Sequence, residues 1–119
     1  MVRRYTRAKR GLDRCAFQLI LNETSEQTLP AGSVFFFSQV GRVIEATYRG
    51  GSVIRGHLIG AIDEGELKFR WHQYTTDQRL MAGDGLIFVD PQPDGRRELR
   101  ERFSSVDKDE KNEILLREL

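Results

Sequence analysis

The segment SVFFFSQVGRVIEATYRGGSVIRGHLIGAID, residues 33–63, decides the fold of this chain. It holds three runs rich in β-branched and aromatic residues, which are separated only by Val40-Gly41 and Gly50-Gly51. Connections this short join antiparallel neighbours, because a parallel crossover takes about a dozen residues or more. The segment therefore predicts a three-stranded antiparallel meander.

Similar runs and turns continue on both sides of this segment, so the chain from Cys15 onward is predicted to be all-β. The eight predicted strands are Cys15–Asn22, Ser33–Gln39, Arg42–Arg49, Val53–Asp63, Glu66–Thr75, Leu80–Asp90, Arg96–Ser104 and Asn112–Leu119. Hairpin links between them predict an antiparallel up-and-down meander that closes into a barrel, since closure removes the exposed edges. A helix over Asp109–Leu119 is the alternative for the last segment, because its residues are good helix formers. We favour the strand.

Alternation along the strands assigns side chains to faces. Phe35, Phe37 and Gln39 share one face of their strand, as Ile44, Ala46 and Tyr48 do in the next. In the run Val53–Asp63 both faces are largely apolar, which is typical of a strand covered on two sides. We therefore predict a homo-oligomer, most simply a dimer.

Length and composition indicate one folded domain over residues 15–119. The chain has 119 residues, 39% of them hydrophobic and 31% charged, and it has no apolar run of the roughly 18 residues that a membrane helix needs. Cys15 is the single cysteine, so the fold needs no oxidising compartment. No export signal follows Arg3-Arg4, and we expect a cytoplasmic protein without a membrane partner.

The charge is concentrated in a basic N-terminal arm, residues 1–14. The arm holds six basic groups against Asp13, whereas the other 105 residues carry thirteen basic and seventeen acidic groups. Such an arm is either a solvated, partly disordered extension or a contact for an acidic partner. Tyr5 is its only aromatic residue, so it lacks the stacking platform of a single-strand binder, and we expect no nucleic-acid partner.

Motifs for the common cofactors and metals are missing. The sequence has no Walker loop, dinucleotide-binding glycine motif, nucleophile elbow or His-Glu-x-x-His word. His57, His72 and Cys15 are too few for a closed zinc site, and His72 with Asp84 or Glu101 makes only an incomplete one. We expect no metal and no cofactor.

The run Lys68–Tyr74 carries the densest set of polar candidates. Alternation places Arg70, His72 and Tyr74 on one face, and Phe69, Trp71 and Gln73 on the other. If the first face points into a barrel, its guanidinium, imidazole and phenol are donors for an anionic or carbonyl-bearing ligand. If it points outward, it is solvated surface, and the aromatic face is the better core.

A second candidate is Glu101, which alternates with Leu99 and Phe103. If those two residues point inward, the carboxyl group is buried between them and needs a partner. Arg70 is the natural partner if the two strands are neighbours. Cys15, flanked by Ala16 and Phe17, is predicted to be a small buried hydrophobic residue.

Several short sequence motifs, taken in order, resemble those of a family of small bacterial proteins. These proteins are grouped as avidin-like barrels and are commonly labelled "N-acetylglutamate synthase" in genomes. The motifs are Phe35–Gly41, Val43–Gly51, Gly56–Gly60, Arg70–Gln73, Leu80–Gly83 and Asp94–Arg96. The resemblance implies a roughly eight-stranded avidin- or lipocalin-like barrel with a ligand-sized interior, and it favours an inward Arg70–His72 face. This sequence departs from the family pattern at Trp71, where a tyrosine is usual, and at Phe103 and Ser105, where tryptophans are frequent.

The synthase label implies a protein that holds acetyl-CoA. The acetyltransferase fold holds the pyrophosphate of acetyl-CoA with a loop at a helix N-terminus. No strand, glycine-rich loop and helix follow one another here, and Gly50-Gly51 is explained by a hairpin turn. We expect no acetyl transfer to glutamate.

Three function classes stay open at this stage. The leading one is a barrel that binds a small organic ligand, with Gln39, Tyr48, Arg70, His72 and Tyr74 as binding residues. The second is a cofactor-independent isomerase, cyclase or hydrolase that uses His72 as acid/base, with Arg70 or Tyr74 stabilising charge and Glu101 as a further catalytic candidate. The third is an interaction protein whose barrel is filled with side chains.

Overall fold

A computed structural model describes residues 11–24, 28–106 and 108–119. Eight strands make up the fold: β1 (Cys15–Glu23), β2 (Val34–Val40), β3 (Val43–Gly50), β4 (Val53–Asp63), β5 (Glu66–Thr75), β6 (Leu80–Asp90), β7 (Glu98–Ser105) and β8 (Lys108–Glu118). Each strand pairs antiparallel with the next, and β8 pairs with β1, which closes the barrel. The predicted all-β barrel is confirmed, and the last segment is a strand.

The connections from β2 to β6 are short turns, as the sequence predicts. Between β2 and β3 the chain turns at Gly41, and between β3 and β4 it turns at Gly51, both with positive φ (61° and 53°). L-residues with a Cβ rarely adopt this conformation, whereas glycine does so at no steric cost. These glycines therefore fix the hairpins that begin the meander. Nowhere in the described ranges is there a helix with the length and apolarity of a membrane span.

Alternation decides which side chains fill the barrel. Along β5, Leu67, Phe69, Trp71, Gln73 and Thr75 are buried, and the residues between them are exposed. The same period runs through β3, β7 and β8, so one apolar face of each strand points inward. Each fully buried aliphatic or aromatic side chain contributes about 1.5–3 kcal/mol to folding relative to an exposed one.

Inward glycines make room for inward aromatic rings on the neighbouring strand. Gly56 lies opposite Tyr48, and Gly83 lies opposite Trp71. A Cβ at Gly56 would stand 2.2 Å from Tyr48 Cε2, and a Cβ at Gly83 would stand 2.8 Å from Trp71 Nε1. Both rings therefore lie over backbone that carries no side chain, which sets the width of the barrel at these positions.

The N-terminal segment closes one end of the barrel. Leu12 is 1% exposed, and its backbone N–H donates to Gln39 Oε1 at 2.7 Å. The Gln39 backbone N–H in turn donates to Asp13 Oδ1 at 2.9 Å. Residues 11–14 of the predicted basic arm thus pack on the barrel, whereas residues 1–10 lie outside the described residues. This end is filled and offers no room for a ligand.

An ion pair closes the same end from the other side. Arg97 binds both carboxylate oxygens of Glu118, at 3.1 and 3.2 Å, and it donates to the Gly11 carbonyl oxygen at 3.0 Å. Its guanidinium also lies within 3.4 Å of Cys15 Sγ and over the ring of Phe17. Cys15 is half-buried beside this pair, so its thiol belongs to the filled end of the barrel.

Candidate ligand-binding cavity

The opposite end of the barrel contains a cavity of about 240 Å³. Its mouth lies where the β1–β2 and β5–β6 connections contribute Thr28 and Arg79 and where β7 ends at Ser105. Asn22 holds the first of these connections in place, because its Nδ2 donates to the Leu29 carbonyl oxygen at 2.7 Å. The barrel is therefore filled at one end and open at the other.

Aromatic rings from four strands form most of the cavity wall. Phe35 of β2 stacks on Tyr48 of β3 with ring centroids 4.4 Å apart. Trp71 of β5 meets Phe103 of β7 edge to face at 5.7 Å. Leu29, Leu80, Met81 and Ile114 complete the apolar lining. Flat apolar walls of this kind suit a planar organic ligand.

A short hydrogen-bond chain crosses the wall between β3 and β6. The Tyr48 hydroxyl donates to Gln73 Oε1 at 3.1 Å, and Gln73 Nε2 donates to Met81 Sδ at 3.6 Å. Burial, and then the nearby Glu101, raise the pKa of Tyr48 far above its ordinary value. Tyr48 is therefore a neutral phenol at physiological pH, and its proton is directed to Gln73.

Glu101 is the one carboxyl group that lines the cavity among the described residues. It is 5% exposed, between the inward Leu99 and Phe103, and its Oε2 has no hydrogen-bond partner within the described part of the chain. Burial raises the pKa of Glu101 to about 8. The group is therefore mostly protonated at neutral pH, and it can donate or accept a hydrogen bond.

Trp71 provides a second unsatisfied polar atom in the same cavity. Its side chain is 7% exposed, and Nε1 finds no acceptor among the residues the structure describes. A buried donor without a partner costs about 1–3 kcal/mol, so native proteins rarely keep one without a reason. Because Nε1 lies over Gly83 in the barrel wall, Glu101 is the unsatisfied group on which a ligand in the cavity would depend.

The residues that the sequence predicts to bind a ligand lie on different sides of the barrel wall. Tyr48 lines the cavity. Gln39 lies at the filled end, where it binds the backbone of Leu12 and does not reach the cavity.

The expected inward orientation of Arg70, His72 and Tyr74 is wrong, because all three are exposed on the outside of β5. The physical reason is the competition between the two faces of this strand. Burying Phe69 and Trp71 removes large apolar areas from water, whereas burying a guanidinium and an imidazole would leave charges to be paired. The proposed pairing of Arg70 with Glu101 is wrong for the same reason, since Arg70 lies outside, opposite Asp84 and Ile59.

The two histidines meet on the outer surface. His57 Nδ1 lies 3.2 Å from His72 Nε2, and His57 Nε2 lies 3.0 Å from Glu45 Oε1. His72 therefore cannot act as acid/base inside the cavity. Among the described residues, no group of three His, Cys, Asp or Glu side chains is placed to hold a metal ion.

Sequence reasoning missed Trp71, Gln73 and Phe103 as cavity residues. The signal that could have identified them was the alternation itself. Once Phe69 and Trp71 are assigned to the core, Gln73 follows on the same face, and Leu99 and Phe103 place Glu101 inside with them. The polar residues of the interior, Gln73 and Glu101, therefore lie on the strand faces that are otherwise apolar.

We predict that Arg70→Ala and His72→Ala each change the free energy of unfolding by no more than about 0.5 kcal/mol, because both side chains are exposed. Urea midpoints of the two variants against the wild type measure this. A loss of 2 kcal/mol or more, about the cost of uncovering a buried charge, would contradict the outward orientation.

Comparison with known proteins agrees with this architecture. The family model described as avidin-like protein matches residues 10–119, which include the whole barrel. Neither the curated proteins nor the solved structures gave a match to this chain. The resemblance to avidin-like barrels is thereby confirmed, while the synthase label gains no support from the match. The chain belongs to the avidin-like protein family.

Proposed function

We propose that this protein binds a small organic ligand in the cavity at the open end of the barrel. The observation that carries the proposal is the buried carboxyl group of Glu101, which lines an unfilled cavity and whose Oε2 has no hydrogen-bond partner in the described part of the chain. Membership of the avidin-like family supports a binding role for this interior. A volume of about 240 Å³ is somewhat below the roughly 300–1,000 Å³ of drug-sized sites, so the ligand is small.

A barrel filled by its own side chains is the weaker alternative. The filled end shows what such packing looks like, with Leu12, Phe17 and Leu116 buried almost completely. The open end stays unfilled although Phe35, Tyr48 and Phe103 are large enough to occupy more of it. An interaction protein would have no need of an unsatisfied carboxyl group there.

A cofactor-independent enzyme is the second candidate, and Glu101 is the residue that favours it. A general acid or base works best with a pKa near the working pH, and the pKa of Glu101 is raised to about 8. The other titratable groups of the described lining are Tyr48 and Arg79, whose ordinary pKa values are far above neutrality. We prefer binding because proton transfer in both directions would need a second group near pH 7.

The test uses Trp71, the single tryptophan of the chain, as a reporter. We expect members of a library of small planar compounds to change its fluorescence and to raise the melting temperature. Ser105 lines the cavity, whereas the adjacent Ser104 lies on the outer face of β7. Ser105→Phe should abolish both responses, and Ser104→Phe should keep them. The proposal would be refuted if no compound changed the fluorescence or the melting temperature, or if the two variants bound compounds equally well.

We also propose that the protein forms a homodimer through the outer face of β3 and β4. Val43, Ile54 and Ile59 are exposed there, although all three are large and apolar. Burying such a patch against a second copy removes its apolar area from water. Light scattering at tens of micromolar should give twice the chain mass, and Ile59→Lys should give the chain mass. A wild-type monomer at that concentration would contradict the dimer.

A further inference from the structure

We propose that the ligand of this cavity is a planar organic cation, an aromatic amidine or amine, whose N–H groups bind the Glu101 carboxylate. This inference rests on the proposed binding function and names the chemical class of the ligand. It follows from three features of the cavity: a buried carboxyl group with an unsatisfied oxygen, an aromatic wall, and the placement of the other charges.

The carboxyl group is the first feature. Glu101 points inward between Leu99 and Phe103, and on the neighbouring strands it lies beside Ile87 of β6 and Ile114 of β8. None of these four side chains can donate a hydrogen bond, and Oε2 has no other partner in the described chain. A ligand that enters the cavity therefore gains most by bringing a donor to this oxygen, and a cationic donor gains more than a neutral one.

The aromatic wall is the second feature. Phe35, Tyr48, Trp71 and Phe103 surround the same space. Aromatic faces attract cations, by about 0.5–2 kcal/mol each, and the attraction increases when water is excluded. An anion in this position would meet the faces of the rings, which repel it, and above pH 8 it would also meet the Glu101 carboxylate. The wall therefore selects for positive charge.

The distribution of the remaining charges is the third feature. The titratable groups that line the cavity with Glu101, among the described residues, are Tyr48 of β3 and Arg79 at the mouth. Tyr48 stays neutral and donates to Gln73. Arg79 lies in the β5–β6 connection, and its Nε is 2.9 Å from Asp77 Oδ2. Among the lining residues that the structure describes, those from β1, β2, β5, β6 and β8 are uncharged, so a cationic ligand would be the counter-ion of Glu101 once it ionises.

Binding of a cation should therefore release a proton. Below pH 8 the free protein holds Glu101 as the carboxylic acid, because burial raises its pKa to about 8. When the cation binds, the O–H bond of Glu101 breaks, its proton passes to the solvent, and the carboxylate faces the ligand. Affinity for a permanently protonated ligand should then rise about tenfold per pH unit up to pH 8 and level off above it.

Benzamidine, benzamide and benzoate are the probes, because they share one shape and carry charges of +1, 0 and −1. A cavity of about 150 Å³ holds benzene, so about 240 Å³ has room for one substituted ring. Titrations followed by Trp71 fluorescence at pH 8.5 should show benzamidine binding at least about tenfold more tightly than benzamide, and benzoate most weakly. Between pH 8 and 6 benzamidine should lose about fiftyfold in affinity, because half of Glu101 is already protonated at pH 8, and benzamide should lose none.

Two variants identify the group responsible. Glu101→Gln should remove both the preference for benzamidine and its pH dependence. Glu113→Gln should keep both, since Glu113 lies on the outside of β8, where it pairs with Arg102. Because the pH series on the wild type gives the same answer, the inference is testable even if Glu101→Gln folds poorly.

The outcomes separate the inference from the function on which it rests. The inference of a cationic ligand would be overturned if benzamide or benzoate bound as tightly as benzamidine, or if the affinity for benzamidine did not depend on pH. Either result would still leave a ligand-binding cavity. Binding of benzamidine to none of these proteins would also overturn it, and the compound library with Ser105→Phe would then decide on the cavity alone.

Discussion

Glu101→Gln is expected to make the protein more stable above pH 8, by about 4–5 kcal/mol, while leaving it nearly unchanged at pH 4. Burial raises the pKa of Glu101 from its ordinary 4.5 to about 8. Between these two values the folded protein keeps a proton that the unfolded chain has lost. The free energy of unfolding therefore falls by about 1.4 kcal/mol per pH unit as pH rises through this window. Glutamine has no proton to lose and does not carry this cost.

Urea denaturation at pH 4, 6, 8 and 9 measures the effect. The wild type and Glu101→Gln should agree at pH 4 and diverge steadily up to pH 8. Glu113→Gln is the control, because this carboxylate is half-exposed on the outside of the barrel and should give nearly the wild-type profile. Parallel profiles for the wild type and Glu101→Gln would show that Glu101 ionises normally and is not held in an apolar site.

Phe37→Ala is expected to destabilise the protein by about 3–5 kcal/mol, whereas Phe36→Ala should change its stability by no more than about 0.5 kcal/mol. The two residues are adjacent in β2 but lie on opposite faces. Phe37 is 3% exposed and packs edge to face on Phe17, with ring centroids 5.4 Å apart. Phe36 is 62% exposed. The same chemical change therefore leaves a cavity in the core at one position and removes surface at the other.

The measurement is the urea midpoint of both variants at pH 5, where Glu101 is protonated in the folded state. Phe37 lies toward the filled end and away from the cavity lining, so its loss tests the core and not the ligand site. Equal effects of the two substitutions, or a larger effect of Phe36→Ala, would indicate that the register of β2 is shifted by one residue.

Most of the fold could be predicted from the sequence because each turn carries its own local signal. The predicted bounds of Val53–Asp63, Glu66–Thr75 and Leu80–Asp90 are those of β4, β5 and β6. Glycines and polar residues stop these strands sharply. The bounds of β7 and β8 were less accurate, since Arg96 and Arg97 precede β7 and β8 begins at Lys108. No glycine or proline marks those limits.

The candidate site was predicted less well because its position depends on contacts between distant residues. Alternation correctly placed Tyr48 and Glu101 with inward apolar neighbours. The orientation of β5 was wrong where the resemblance was given more weight than the apolar area of Trp71. Which end of the barrel stays open depends on Leu12 binding Gln39, 27 residues away. No local pattern reveals that contact.

Both described chain ends meet at the filled end of the barrel. Arg97 binds Gly11 and Glu118 together, and the Leu119 backbone N–H donates to the Ala16 carbonyl oxygen at 2.9 Å. The mouth of the cavity is at the opposite pole. A molecule tethered to a sensor surface through its carboxyl terminus would thus present the mouth to the flowing solution, and a fluorescent protein fused there would stand clear of any entering compound.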